Sequence, residues 1–248
     1  MKDITEKPMQ QWISKDNKAE KALKRVKQNT TARIGIGRSG ARYKTDAFLR
    51  FWADQSAASD AVFTEVTPET IVNLGLFEIK TKCRSKFEMI TRPDWGRIIE
   101  KDQQQILKEK CVKDPDVQIY FGDGLSSPSI SANAEDMLQV LKLGLEHEGL
   151  SVGTPFFVRY CRVNTARTIG PLLNAKVVCV LIGERPGMQT DESMSAYIAY
   201  KPHPQMLESE YTVVSNISRH GIAPVEAAAH IVELILKISK AKKSGISL

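Results

Sequence analysis

The sequence predicts an α/β protein: a Rossmann-like parallel sheet with flanking helices, preceded by a mostly helical N-terminal region and a basic arm. Residues 176–182 (KVVCVLI) are short, rich in β-branched side chains and apolar at every position after the lysine. A strand reads that way when helices cover both faces of its sheet. From residue 116 onward, strand-like and helix-like stretches alternate at a spacing that calls for right-handed crossovers and parallel pairing. The turn-forming segment Gly183-Glu184-Arg185-Pro186-Gly187 stops the central strand and puts a carboxylate and a guanidinium at its carboxyl end. In open α/β sheets ligands occupy the crevice outside those ends.

Taken in order, residues 1–29 form the basic arm, residues 30–112 a mostly helical N-terminal region and residues 113–248 the α/β domain. Residues 32–40 (ARIGIGRSG) match G-x-G-x-x-G by spacing at Gly35, Gly37 and Gly40, but only Ala32-Arg33-Ile34 precedes the motif and the next helix starts later, at Thr45 or Asp46. A dinucleotide cradle needs a strand before it and a helix opening at its third glycine, so a glycine-rich turn at a packed position is the better reading. Residues 45–60 carry Ala47, Phe48, Phe51 and Trp52 on a helical stripe, and Pro68 opens a short helix ended by Gly75. Residues 76–80 and 87–90 read as extended segments, and residues 98–111 as a helix. Residues 116–124 are a strand and glycine turn, followed by a helix over 134–148 capped by Ser131 or Asn133, with Met137, Leu138, Leu141 and Leu145 as its apolar stripe. Strands follow within 151–163 and over 195–200 and 211–214, a short helix over 165–173, and a last helix over 225–239 with Pro224 before it and Ala228, Ile231, Val232, Ile235 and Ile238 on one face.

Composition excludes several classes. A hydrophobic fraction of 42% over 248 residues is enough for a sizeable core. No run of about 18 apolar residues occurs, and the N-terminus lacks the apolar segment of a secretory signal, so neither a membrane span nor export is expected. Cys83, Cys111, Cys161 and Cys179 are scattered without a C-x-x-C pair, as in a reduced compartment without structural disulfides. The net charge of +6 lies mostly in residues 1–33, where nine Lys/Arg face four Asp/Glu and leave only +1 for the other 215 residues. No RNA-binding aromatic signature or zinc-finger spacing accompanies that arm, so nucleic acid is not an expected partner.

Polar residues mark three strand ends: Gly122-Asp123-Gly124, Cys161-Arg162-Val163 and Gly183-Glu184-Arg185. With Val213-Val214-Ser215-Asn216 they are placed to line one crevice. Singly, each has a plainer explanation: Asp123 as a cap or turn residue, and Glu184 with Arg185 as a local salt bridge. None of His147, His203, His220 and His230 has a second His or a Cys at i+3 or i+4, and neither H-E-x-x-H nor G-x-S-x-G occurs, so no catalytic set and no metal site are expected. The residues alone stop at an α/β ligand-binding domain, one suited to working with a partner.

At VGTPFFVRYCRV, LIGERPG, DESMSAY and SNISRHGIAPVEAAAHIVELI the sequence resembles the small (light) chain of ethanolamine ammonia-lyase, and TARIGIGRSG, AFLRFWADQSAASD, TRPDWGR and DPDVQIYFGDGLSS extend the likeness from about Arg33 to the C-terminus. The resemblance implies an adenosylcobalamin-dependent ammonia-lyase that converts ethanolamine to acetaldehyde and ammonia by a radical route. It further implies a large (heavy) chain with a (β/α)₈ barrel that holds substrate, a hetero-oligomer of αβ pairs (α6β6), and cobalamin held base-on at the interface of the two chains, with no catalytic residue on this one. The family's cobalamin contacts fall here on Val163 after YCR, on Glu184 in GERPG and on Val213 in TVVSN. Family members carry a cysteine at the position of Val213; a contact through backbone survives that change and one through a thiol does not. A bacterial cytoplasmic location is implied, with packaging in an ethanolamine-utilisation microcompartment linked in the family to an N-terminal extension that is longer than the basic arm of this sequence. Two rival readings are a stand-alone corrinoid or nucleotide carrier, and a dinucleotide oxidoreductase built on Gly35, Gly37 and Gly40.

Overall fold

The computed structural model describes residues 12–14, 18–30 and 32–248. Two compact units divide the chain: Met1–Asp60 with Gly187–Thr190, and Ala61–Pro186 with Asp191–Leu248.

In the first unit, α1 (Glu20–Lys27) is a short amphipathic helix in the expected basic arm; residues 1–11 and 15–17 of that arm lie outside the described residues. The Lys27 ammonium is buried and donates to Trp12 O at 2.6 Å and Ile34 O at 3.1 Å. The glycine motif is a turn and not a phosphate cradle. β1 (Arg38–Ser39) and β2 (Arg42–Tyr43) form a small antiparallel hairpin around Gly40, and the helix begins only afterwards, as α2 (Thr45–Phe63). Gly35 and Gly37 have φ of +68° and +88°, and a Cβ on either would approach Leu23 or Ser14 to within 2.9 Å and 2.8 Å respectively. Glycine is needed there for packing.

The second unit adds α3 (Pro68–Asn73), β3 (Phe77–Lys80), α4 (Lys86–Thr91), α5 (Lys101–Lys110), β4 (Val117–Gly122), α6 (Pro128–His147) and β5 (Phe156–Arg159). It continues with α7 (Ala166–Leu173), β6 (Val177–Gly183), β7 (Met194–Tyr200), β8 (Thr212–Ile217) and α8 (Pro224–Ala241). The six strands lie in the order β3-β5-β4-β6-β7-β8. Alternation along the strands feeds two cores. Val117, Ile119 and Phe121 of β4 and Val177, Cys179 and Leu181 of β6 pack with α6 and α8. Tyr120, Val178, Val180 and Ile182 pack on the other face, with α5 and α7.

The sheet is mixed, and this refines the all-parallel expectation. β3, β5, β4 and β6 pair in parallel, whereas β7 and β8 pair antiparallel to their neighbours. The reason is connection length: residues 184–193 between β6 and β7 hold no helix, and a parallel return requires a crossover of a dozen residues or more. β8 reverses again, so it runs in the direction of β6 and its carboxyl end reaches the same sheet edge. Residues 87–90 are not extended but lie in α4. Ser85 accepts from Glu88 N at 3.2 Å and Glu88 reaches back to Arg84 N at 2.8 Å, so the S-x-x-E pattern was the overlooked signal. α6 begins six residues before the expected start, with Pro128 in its first turn, and neither Ser131 nor Asn133 caps it. Asn133 sits inside that helix and donates to Ser129 O and Glu192 O. All four cysteines are free and buried.

Candidate functional site

At the carboxyl edge of the sheet lies a cavity of about 400 Å³. β4 contributes Gly124 and Leu125 from the turn that follows it, β5 contributes Arg162 and Val163, and β6 contributes Ile182, Gly183, Glu184 and Arg185. β7 supplies Ser195 and Tyr197, and β8 supplies Ser215. All four strand-end groups singled out in the sequence therefore meet.

Backbone at the floor approaches closely. Leu125 N donates to Gly183 O at 3.1 Å. A Cβ on Gly183 would lie 2.2 Å from Ser126 O, and one on Gly124, whose φ is +50°, would lie 2.3 Å from Gly183 O. No larger residue fits at either position without moving a main chain.

The two carboxylates at these strand ends have separate roles. Asp123 is fully buried and turned away from the cavity. It pairs with the Lys86 ammonium at 2.8 Å and accepts Cys161 N at 2.8 Å and Tyr160 N at 3.0 Å, while Lys86 also donates to Gly124 O at 3.1 Å. This clamp joins α4, the β4 turn and the β5 turn, and it holds Tyr160 at a φ of +58°. Asp123 is thus a structural anchor, close to its plainer sequence reading.

Glu184 lines the cavity and is only partly buried. It does not form the local salt bridge with Arg185 that the sequence left open. Its Oε2 accepts Ser193 Oγ at 2.6 Å, and its Oε1 accepts Ser195 Oγ and, at 2.8 Å, Asn216 N. Three donors from β7, β8 and the turn between β6 and β7 fix one carboxylate in place. The Tyr197 phenol is held above its usual range by burial and then by the Glu184 charge, so it stays a neutral hydrogen-bonding group. Cys161, beneath the rim, has its thiol pushed up to about 12 by burial, which makes it inert as a nucleophile. Among the described residues no group of three or more His, Cys, Asp or Glu is arranged to hold a metal ion, and no helix is long and apolar enough to cross a membrane.

A family model described as the ethanolamine ammonia-lyase light chain matches residues 20–248. The chain belongs to the ethanolamine ammonia-lyase light chain family. Three proteins named ethanolamine ammonia-lyase small subunit show the likeness residue by residue. That of Clostridium perfringens is 50% identical over 247 residues, that of Clostridium tetani 49% over 248 and that of Fusobacterium nucleatum subsp. nucleatum 46% over 247. Each match covers 99% of this chain and 84% of the relative.

Of the residues that resemblance to the light-chain family pointed to, Val163 and Glu184 line one cavity. Val163 opens a short 3-10 turn, Val163–Thr165, that leads into α7. Val213 is exposed on β8, one register pair from the cavity wall: it lies opposite Tyr197, on the strand face shared with Ser215. Leu125, Ile182, Ser195 and Tyr197 are cavity residues not singled out in the sequence as a site. Ser195 and Tyr197 were the readable ones, because they alternate with Ala196 and Ile198 and so share one face of a buried strand.

Proposed function

We propose that this chain is the small subunit of an adenosylcobalamin-dependent ethanolamine ammonia-lyase and forms one wall of the cobalamin site. The observation that carries the reading is the Glu184 carboxylate, fixed by three donors at the mouth of a strand-end cavity in a chain of the light-chain family. When bound, adenosylcobalamin supplies radical chemistry by homolysis of its cobalt–carbon bond. The residues present suit that ligand. Cobalamin carries a rim of carboxamide groups, and Glu184, already oriented, offers its remaining lone pair to an amide N–H. Val163 and Ile182 offer apolar contact, and the close-packed glycines leave room over the floor.

On this reading the chain positions the cofactor and the large subunit holds ethanolamine. A cavity of about 400 Å³ takes one side of a corrinoid, which fits an interface site completed by the partner. The α2 face supports a docked partner as well: Phe48, Phe51 and Trp52 expose 48%, 37% and 50% of their surface, and Trp52 meets each phenylalanine edge to face. The reading extends to an α6β6 assembly, a bacterial cytoplasmic location and packaging in an ethanolamine-utilisation microcompartment, which analytical ultracentrifugation of the complex and cell fractionation test. Aldehyde release from ethanolamine and adenosylcobalamin is the direct assay, run with this chain, the large chain and both. Activity is expected only with both. Activity of the large chain alone at the full rate contradicts the proposal.

A further inference from the structure

A cation in the same cavity has no anion paired with it among the described residues. Arg162 lines the cavity from the end of β5, and its guanidinium uses one donor, Nη2 to Met89 O at 3.1 Å. Its Nε is buried without a hydrogen-bond partner among the described residues. The acids nearby are already engaged. Asp123 is taken by Lys86 and two backbone N–H groups, and Glu184 by two serine hydroxyls and Asn216 N. Neighbouring charge adds to the imbalance, since Arg185 lines the cavity and burial, followed by Arg97, disfavours the charged form of Arg162. A partly buried guanidinium normally has a carboxylate or phosphate across from it, because desolvating an uncompensated charge is costly.

The side chain is also held in place. Arg162 N donates to Gly96 O at 2.9 Å, and the Arg162 stem packs so closely on Gly96 that a Cβ there would lie 2.8 Å from its Cγ. An arginine fixed along its stem and left without an anion is preorganised for a ligand phosphate, which its planar fork matches.

We propose that Arg162 is the counter-charge for a phosphodiester: it pairs with the phosphate of the nucleotide loop of the corrinoid in this cavity, and so selects complete cobalamins over corrinoids that lack that loop. The inference rests on the cobalamin reading for the identity of the ligand. It assigns Arg162 a positioning and selectivity role distinct from that of Glu184, which meets amide donors.

The test is a comparison of two ligands that differ in the phosphate. The assembled two-chain complex is titrated with hydroxocobalamin and with cobinamide, which lacks the phosphate and the nucleotide, and binding is followed by visible absorption. Wild type is compared with Arg162→Gln and Arg162→Lys at low and high salt, with thermal midpoints confirming that each variant is folded. Arg162→Gln is expected to weaken hydroxocobalamin ~10-fold or more and to leave cobinamide within ~3-fold, as fits loss of a charge-assisted hydrogen bond. Arg162→Lys should fall between and lose affinity more steeply with salt. Equal weakening of both ligands, or no weakening of either, overturns the inference while leaving the cobalamin reading intact. A wild-type complex that binds neither corrinoid defeats both. If Arg162→Gln fails to assemble, Arg162→Lys carries the same comparison.

Discussion

The ends of β4 and β6 are adjacent, parallel and each finished by an acidic residue, yet they do opposite work. After β4, Asp123 is fully buried, paired with Lys86 and bonded to two backbone N–H groups that belong to the turn after β5. After β6, Glu184 is partly exposed, met by hydroxyls and one N–H, and open to the cavity. A carboxylate at a strand end is therefore no evidence of a site by itself. A cation that neutralises it and burial that seals it make an anchor; neutral donors that orient it, with one side open, make a recognition group.

That contrast is sharpest under mutation. Lys86→Met removes the cation paired with Asp123 and leaves a buried charge without it, so unfolding by urea should show a loss of about 3–5 kcal/mol. A loss below about 1 kcal/mol would mean that the clamp does not anchor the two turns. Glu184→Ala should do the reverse: assembly and unfolding midpoint hold, while the apparent dissociation constant of the complex for adenosylcobalamin rises by a factor corresponding to about 1.5–3 kcal/mol. An unchanged constant would remove Glu184 from the site. Ser195→Ala takes away one of the three donors that orient Glu184, and about 0.5–1.5 kcal/mol of cofactor affinity should go with it, with stability nearly unchanged. The smallest effect belongs to Val213→Cys, the cysteine that the family resemblance implies for this position; on an exposed strand position beside the cavity it should shift stability by no more than about 0.5 kcal/mol. A marked gain in cofactor affinity in that variant would instead assign the contact to the thiol.

The parts of this arrangement that sequence made legible are those set by local pattern. Val177–Gly183 is apolar at every position because both sheet faces are covered, and α8 shows its stripe because Ala228, Ile231, Val232, Ile235 and Ile238 all face the core. The turns at Gly122, Val163 and Gly183 were readable for the same reason, and with them the place of the crevice. What local pattern cannot carry is pairing over distance. Lys86 lies 37 positions before Asp123 in the sequence, and nothing near either residue says that they meet. The reversal at β7 depends on a helix missing from residues 184–193, and that same reversal brings Ser195 and Tyr197 to the cavity. The family resemblance supplied Val163 and Glu184, but that Arg162 has no anion among the described residues is visible only once Asp123 and Glu184 have been assigned their partners.

The most direct test of the central claim is a cobalamin titration, followed by visible absorption, of this chain alone, of the large chain alone and of the two together. A cofactor wall completed by a partner predicts weak binding to either chain and tight, saturable binding to the mixture, lost in part when Glu184→Ala replaces the wild-type small chain. Equally tight binding by this chain without its partner would contradict an interface site and make the chain a corrinoid carrier in its own right.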